Sequence, residues 1–163
     1  MRWRWIDKSF EQLTVHELYA IMALRQRVFV VEQRCPYLDI DGLDPDCHHL
    51  WAQASGSASA GALPGGDPLL AYLRVVPSLR RFPEVSIGRV ITAPEARGTG
   101  LGRELMRRGL SLVGSLAGPV QIRIGAQAYL QRFYEEFGFV RASADYDEDG
   151  IPHLEMLRAA PAA

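Results

Sequence analysis

The sequence predicts a mixed α/β domain whose central mixed sheet has about six or seven strands, with helices on both faces. Three observations predict it. Short segments of alternating or continuous apolar residues recur along the chain, interleaved with longer stretches of helical period. Their order is strand, helix, three strands, helix, strand, helix and two strands, with no internal repeat. A chain of 163 residues that is 48% hydrophobic and 23% charged has the size and composition of one globular domain, spanning 1–163.

Residues 2–6 alternate around Trp3 and Trp5 and read as a first strand. Thr14-Val15-His16-Glu17 is a capping box, in which Thr14 and Glu17 each satisfy a backbone N–H of the other's turn. The helix it opens runs through Leu18, Ile21, Met22, Arg25 and Val28, with Phe29 and Val30 extending it until Pro36 closes the region. An aspartate-rich loop covers residues 36–47, followed by a strand from His48 to Gln53. Ser55–Pro68, built of Ser, Gly, Ala and Pro, reads as a mobile connection too short to divide two domains. Leu69–Val76 and Val85–Thr92 are two further strands.

Gly102–Leu116 has the spacing of an amphipathic helix, with Leu105, Met106, Gly109, Leu112, Val113 and Leu116 facing inward. Val120, Ile122 and Ile124 alternate as a strand, and Gln127–Phe137 reads as a helix stopped by Gly138. Phe139–Tyr146 and His153–Arg158 form a closing strand pair around Asp147-Glu148-Asp149-Gly150.

Net charge is −1, which does not call for nucleic acid as partner. The first residues lack the apolar stretch of a signal peptide, and no run is long and apolar enough for a membrane span; a soluble cytoplasmic protein is expected. Two cysteines, Cys35 and Cys47, do not make a disulfide framework. With His48 and His49 they lack the spacing of a zinc site, and no metal is expected.

The informative segment is Val90-Ile91-Thr92-Ala93-Pro94-Glu95-Ala96-Arg97-Gly98-Thr99-Gly100-Leu101-Gly102-Arg103. A strand ends, a glycine-rich turn follows and a helix opens. Glycines permit positive φ and leave N–H groups uncovered, while the helix start adds unpaired donors and the positive end of its dipole. The combination suits a pyrophosphate. A Rossmann fingerprint fails because Arg occupies position 103, and a P-loop fails for want of its Lys and Ser or Thr. Taken alone, the segment is also compatible with a plain turn between strand and helix.

Arg97, Gly100 and Gly102, with Pro94 ahead of them, nevertheless resemble motif A of the GNAT superfamily of acetyl-CoA-dependent N-acetyltransferases, and the order of elements from about Leu18 to Leu157 follows that family. Its second signature is matched by Gln127, Tyr134, Gly138 and Phe139, with Gln in place of the usual Asn. Phe29-Val30-Val31-Glu32-Gln33, Cys35-Pro36-Tyr37, Asp39-Ile40-Asp41-Gly42, Ile87-Gly88-Arg89-Val90, Gly125-Ala126-Gln127-Ala128 and Asp149-Gly150-Ile151-Pro152-His153 resemble the bacterial ElaA group within it.

The resemblance implies several expectations. Strands Val85–Thr92 and Val120–Gly125 run parallel and splay. Backbone N–H groups from Gly98 to Arg103 face the pyrophosphate of acetyl-CoA, and Val90, Ile91 and Thr92 pair with its pantetheine arm. Arg97 and Gln127 are further cofactor contacts. Tyr134 is the general acid for the leaving thiolate, against the alternative of a core tyrosine. Candidates for the base are Glu32, Glu84, His48 and His49. Asp39 and Asp41, with Asp44 and Glu32 nearby, either attract a cationic amine or are solvated turn residues. The implied reaction is direct acetyl transfer to a primary amine of a small molecule or peptide; the alternative is an acyl-CoA-binding module without turnover. A homodimer is compatible with the resemblance.

Overall fold

The computed structural model describes residues 3–55 and 67–162. The start of the first strand at Arg2 and most of the Ser55–Pro68 connection lie outside the described residues. The elements are β1 (Trp3–Ser9), α1 (Val15–Arg25), β2 (His48–Ala54), β3 (Leu69–Val76), β4 (Val85–Thr92), α2 (Leu101–Ala117), β5 (Ile122–Gln127), α3 (Gln131–Glu135), β6 (Phe139–Arg141), β7 (Tyr146–Glu148) and β8 (Ile151–Arg158).

All the strands join one eight-stranded sheet of order β1-β2-β3-β4-β5-β8-β6, with β7 also on β8. The extra strand arises because the segment Phe139–Tyr146 does not run unbroken. β6 pairs with Met156–Arg158 and β7 with Ile151–His153, while Arg141 bonds the Ser143 carbonyl and the Asp145 carboxylate between them. The β7–β8 hairpin turns through Asp149 and Gly150 at φ 56° and 80°, the left-handed pair that matches strand twist.

Helices cover both faces because successive strand residues point opposite ways. On one face α2 lies so close that a Cβ on Gly109 would come within 2.6 Å of Leu73 Cδ2, so any larger residue here would require the Leu73 side chain to shift. On the other face Arg25, at the end of α1, sits 5.9 Å over the Tyr72 ring. The capping box of α1 forms as expected: Glu17 N–H donates to Thr14 Oγ1 at 3.2 Å and Thr14 N–H to Glu17 Oε2 at 2.9 Å.

Three boundaries differ from the sequence reading. After Arg25 the helix widens into π-helical turns over Gln26–Glu32. The longer turn brings Val28, Phe29, Glu32 and Gln33 to one cavity wall. β5 extends to Gln127, so the following helix begins only at Gln131, after a tight turn over Ala128–Leu130. α2 runs on to Ala117, and in its last turn Leu116 is 46% exposed rather than inward.

Candidate active site

All neighbouring strands are antiparallel except β4 and β5, which run parallel and pair only at Val85–Ile122 and Ser86–Arg123. The cause is a bulge in β4. Arg89 and Val90 together oppose the single residue Leu73 between the pairs Arg74–Gly88 and Tyr72–Ile91, and Arg89 holds φ 54°. A bulge bends its strand, and here the bend carries β4 away from β5. The gap opens into a cavity of about 750 Å³, walled by Val90, Ile91 and Thr92 on one side and Gly125, Ala126 and Gln127 on the other. The free edge of β4 offers backbone groups to an extended ligand, as an added strand would use them.

At the end of β4, Gly98 and Gly100 take φ 73° and 85°, and an ideal Cβ at either would meet nothing within 4 Å. Their conformation therefore requires glycine while their surface stays open. Among the described residues the N–H groups of Gly98, Thr99, Gly100, Leu101 and Gly102 have no backbone acceptor, as suits an anion cradle. Arg103 is different, because its N–H already donates to the Gly100 carbonyl at 3.1 Å and its guanidinium is paired with Glu136. The donor set thus stops at Gly102. Thr99 Oγ1 braces the loop by donating to the Ala96 carbonyl at 2.7 Å.

Tyr134 lines the same cavity and is 7% exposed, packed edge-on against Phe133 and Phe139 at centroid distances of 5.1 and 6.1 Å. Burial, helped by the nearby Tyr129 phenol, raises its pKa, so the hydroxyl keeps its proton until a stronger acceptor forms beside it. Gln127 lines the wall and its Nε2 donates to Gln33 Oε1 at 3.0 Å, tying β5 to the π-helical segment.

The four expected base candidates fare poorly. Glu84 is not among the cavity-lining residues. Its carboxylate takes two hydrogen bonds of 3.0 Å from Arg123, and these hold its pKa below the usual range. Glu32 does line the cavity but is bound at both oxygens by Arg97, at 2.7 and 3.0 Å, so each engages the other at the rim. His48 lies on β2, paired with Ser9 and Val75 and outside the cavity lining. His49 is fully buried and outside the cavity lining, with Nδ1 2.7 Å from Tyr72 Oη and Nε2 3.1 Å from the Asp44 carbonyl, and burial lowers its pKa.

The acidic loop is likewise taken up by ion pairs. Asp39 receives bonds from Arg25 Nε at 2.8 Å and Arg89 Nε at 2.7 Å. Asp44 Oδ1 receives Arg25 Nη1 at 2.7 Å and Arg74 Nη1 at 2.8 Å. Asp41 is bound by Arg74 and, at 3.3 Å, by Arg89. Three carboxylates thus face three guanidinium groups, and the network is neutral. Asp39 and Asp41 are thus both engaged in ion pairs, and Asp41 also lines the cavity. Burial pushes the Asp41 carboxyl up, but the Arg74 hydrogen bond and the two cations outweigh it and hold it at about 2.

Arg89, Cys35, Tyr37, Tyr129 and His153 also line the cavity. Arg89 lies 5.2 Å from the Tyr37 ring and 5.6 Å from the Phe29 ring. Burial pushes the Tyr37 phenol up to about 12. Arg89, Cys35, Tyr37 and His153, though not Tyr129, lie in the segments that carry the ElaA resemblance, and that clustering was the available signal. Among the described residues no group of three or more His, Cys, Asp or Glu is placed to hold a metal ion, and no helix is long and apolar enough to cross a membrane.

A family model described as acetyltransferase (GNAT) domain matches residues 69–159. The protein ElaA of Escherichia coli K12 is 40% identical over 94% of this chain and 95% of its own. The crystal structure of Escherichia coli ElaA superposes with a TM-score of 0.85 at 39% identity, covering 96% of this chain and 99% of that one. An acyl-CoA N-acyltransferase from Pseudomonas aeruginosa gives a TM-score of 0.86 at 44% identity, covering 97% and 100% of the two chains. The divergent strand pair, the glycine turn and these likenesses agree: the chain belongs to the GNAT family of acetyltransferases, within it to the ElaA-like proteins, and is an acyl-CoA-dependent acyltransferase.

Proposed function

We propose that this protein transfers the acetyl group of acetyl-CoA directly to a primary amine of a small molecule or peptide. The observation that carries the reading is the divergence of β4 from β5 after two paired residues, which opens a slot lined by the free edge of β4, by Arg97 at the start of the glycine turn and by Tyr134. The N–H groups of Gly98 to Gly102 hold the pyrophosphate, with Arg97 at the rim. Backbone groups of Val90, Ile91 and Thr92 hold the pantetheine arm, and Gln127 closes the facing wall. Acetyl-CoA supplies the activated acyl carbon. Tyr134 donates its hydroxyl proton to the sulfur as the C–S bond breaks and is restored by the proton that the new amide nitrogen sheds. The unbridged Cys35 and Cys47 fit the reducing cytoplasm.

The test is thiol release from acetyl-CoA across a panel of monoamines, polyamines, amino acids and peptide N-termini, with calorimetry for CoA binding. Amine-dependent thiol release with an amide product is expected. Tight CoA binding without release under any acceptor would make the protein an acyl-CoA-binding module; no binding of CoA or acetyl-CoA would remove the central claim.

A further inference from the structure

We propose that His153 is the general base that takes the proton from the acceptor amine, a role that rests on the amine-acetylation reading above. His153 sits on β8 opposite Gln127, lines the cavity, and has a side chain only 13% exposed. Its Nδ1 lies 2.8 Å from the Ile151 carbonyl oxygen. A carbonyl has lone pairs only, so Nδ1 carries the hydrogen. In the neutral ring the basic lone pair is therefore on Nε2. Tyr146 stacks on the imidazole with centroids 6.0 Å apart and planes at 26°, which fixes the ring orientation.

Glu148 Oε2 lies 3.4 Å from Nε2. An ionised carboxylate cannot donate to that lone pair, but it stabilises the imidazolium once Nε2 is protonated. Oriented base, fixed tautomer and a carboxylate beside the developing cation are the parts that proton abstraction needs. Glu148 and Tyr146 are the charged or titratable groups against the ring; Arg81 in turn lies 3.8 Å from Glu148, Arg81 and Glu155 act on Tyr146, and Asp149 and Glu148 act on Cys35, which lines the same cavity.

In the step, one proton passes from the ammonium nitrogen to Nε2. The freed nitrogen lone pair forms the C–N bond at the thioester carbonyl, and the C–S pair later leaves on sulfur. The imidazolium then returns its proton to water, which restores the base.

The experiment uses acetyl-CoA and whichever amine of the panel the wild-type protein turns over fastest, measured across pH. His153→Gln should lower kcat by about 10²–10⁴ at neutral pH. The acidic limb of the profile should disappear, and the deficit should shrink as rising pH supplies free amine. CoA affinity should be unchanged. Glu148→Gln should move the acidic limb to lower pH, because the imidazolium loses its nearby negative charge, and this reading stands even where His153→Gln fails to fold. A His153→Gln profile matching wild type, a deficit constant at every pH, or an acidic limb unmoved in Glu148→Gln overturns the assignment of the base while leaving amine acetylation intact. Wild-type protein that binds CoA and acetylates no amine overturns the parent reading, and the base with it.

Discussion

Replacing Asp44 by Asn tests whether the acidic loop is held by buried ion pairs. Asp44 is 2% exposed, and its Oδ1 joins Arg25 and Arg74, whose side chains are 0% and 1% exposed. With Asn in its place, three guanidinium groups face two carboxylates, so a buried positive charge is left without its partner. Breaking one member of such a pair costs about 3–5 kcal/mol. Asp44 Oδ2 has no hydrogen-bond partner among the described residues, so both guanidinium groups depend on Oδ1. Set against a total stability of about 5–15 kcal/mol, the loss is large. In a domain of this size it corresponds to a fall in melting temperature of about 6–20 °C. Asp46→Asn supplies the control. Its Arg80 pair is 52% and 37% exposed, and such pairs contribute at most about 1 kcal/mol. Urea unfolding followed by tryptophan fluorescence measures both variants. A loss below about 1 kcal/mol for Asp44→Asn, or equal losses for the two, would refute the argument that burial makes this network energetically decisive.

Asp39→Asn combined with Asp41→Asn should lower stability and leave the acceptor KM unchanged in the thiol-release assay, since both carboxylates are engaged in ion pairs. A raised KM with intact stability would return both to the acceptor site. The pH dependence has a definite sign: the folded Asp41 pKa is depressed to about 2 from 3.8, so its contribution is present above about pH 4 and lost as pH falls toward 2. Acid titration of Asp41→Asn by circular dichroism should show a shallower loss in that window than wild type. Gly100→Glu should abolish CoA binding by calorimetry, because it forces φ 85° on a side chain and sets a carboxylate against the phosphates. Retained affinity would move the pyrophosphate elsewhere. Tyr134→Phe should lower kcat and keep the CoA Kd, since only the proton donor is removed; an unchanged rate returns Tyr134 to a packing role.

Much of the fold was legible because its signals are local. The Thr14–Glu17 box, the strand–glycine turn–helix from Val90 to Gly102 and the Gly138 stop each depend on residues within a few positions, whose φ preferences and hydrogen bonds act regardless of the rest of the chain. Element ends were less legible. Gln127 reads equally as a strand end or a helix start, and only its pairing with His153 keeps it in β5. The π-helical turns after Arg25 have no signature of their own in the apolar period.

The sequence by itself determined the architecture and the glycine-rich turn between β4 and α2, because apolar periodicity and glycine conformation are properties of neighbouring residues. Tertiary structure alone decided the chemistry around them. The aspartates of residues 39–44 look like a free acidic patch until Arg25, Arg74 and Arg89, up to 50 positions away, neutralise them. Arg89, held by Asp39, adopts a left-handed backbone inside a strand and opens the slot. His153 becomes a candidate base only where the β7–β8 hairpin stacks Tyr146 on it and sets Glu148 beside it. Coulomb attraction and ring stacking act through space, and no spacing along the chain encodes which charges meet.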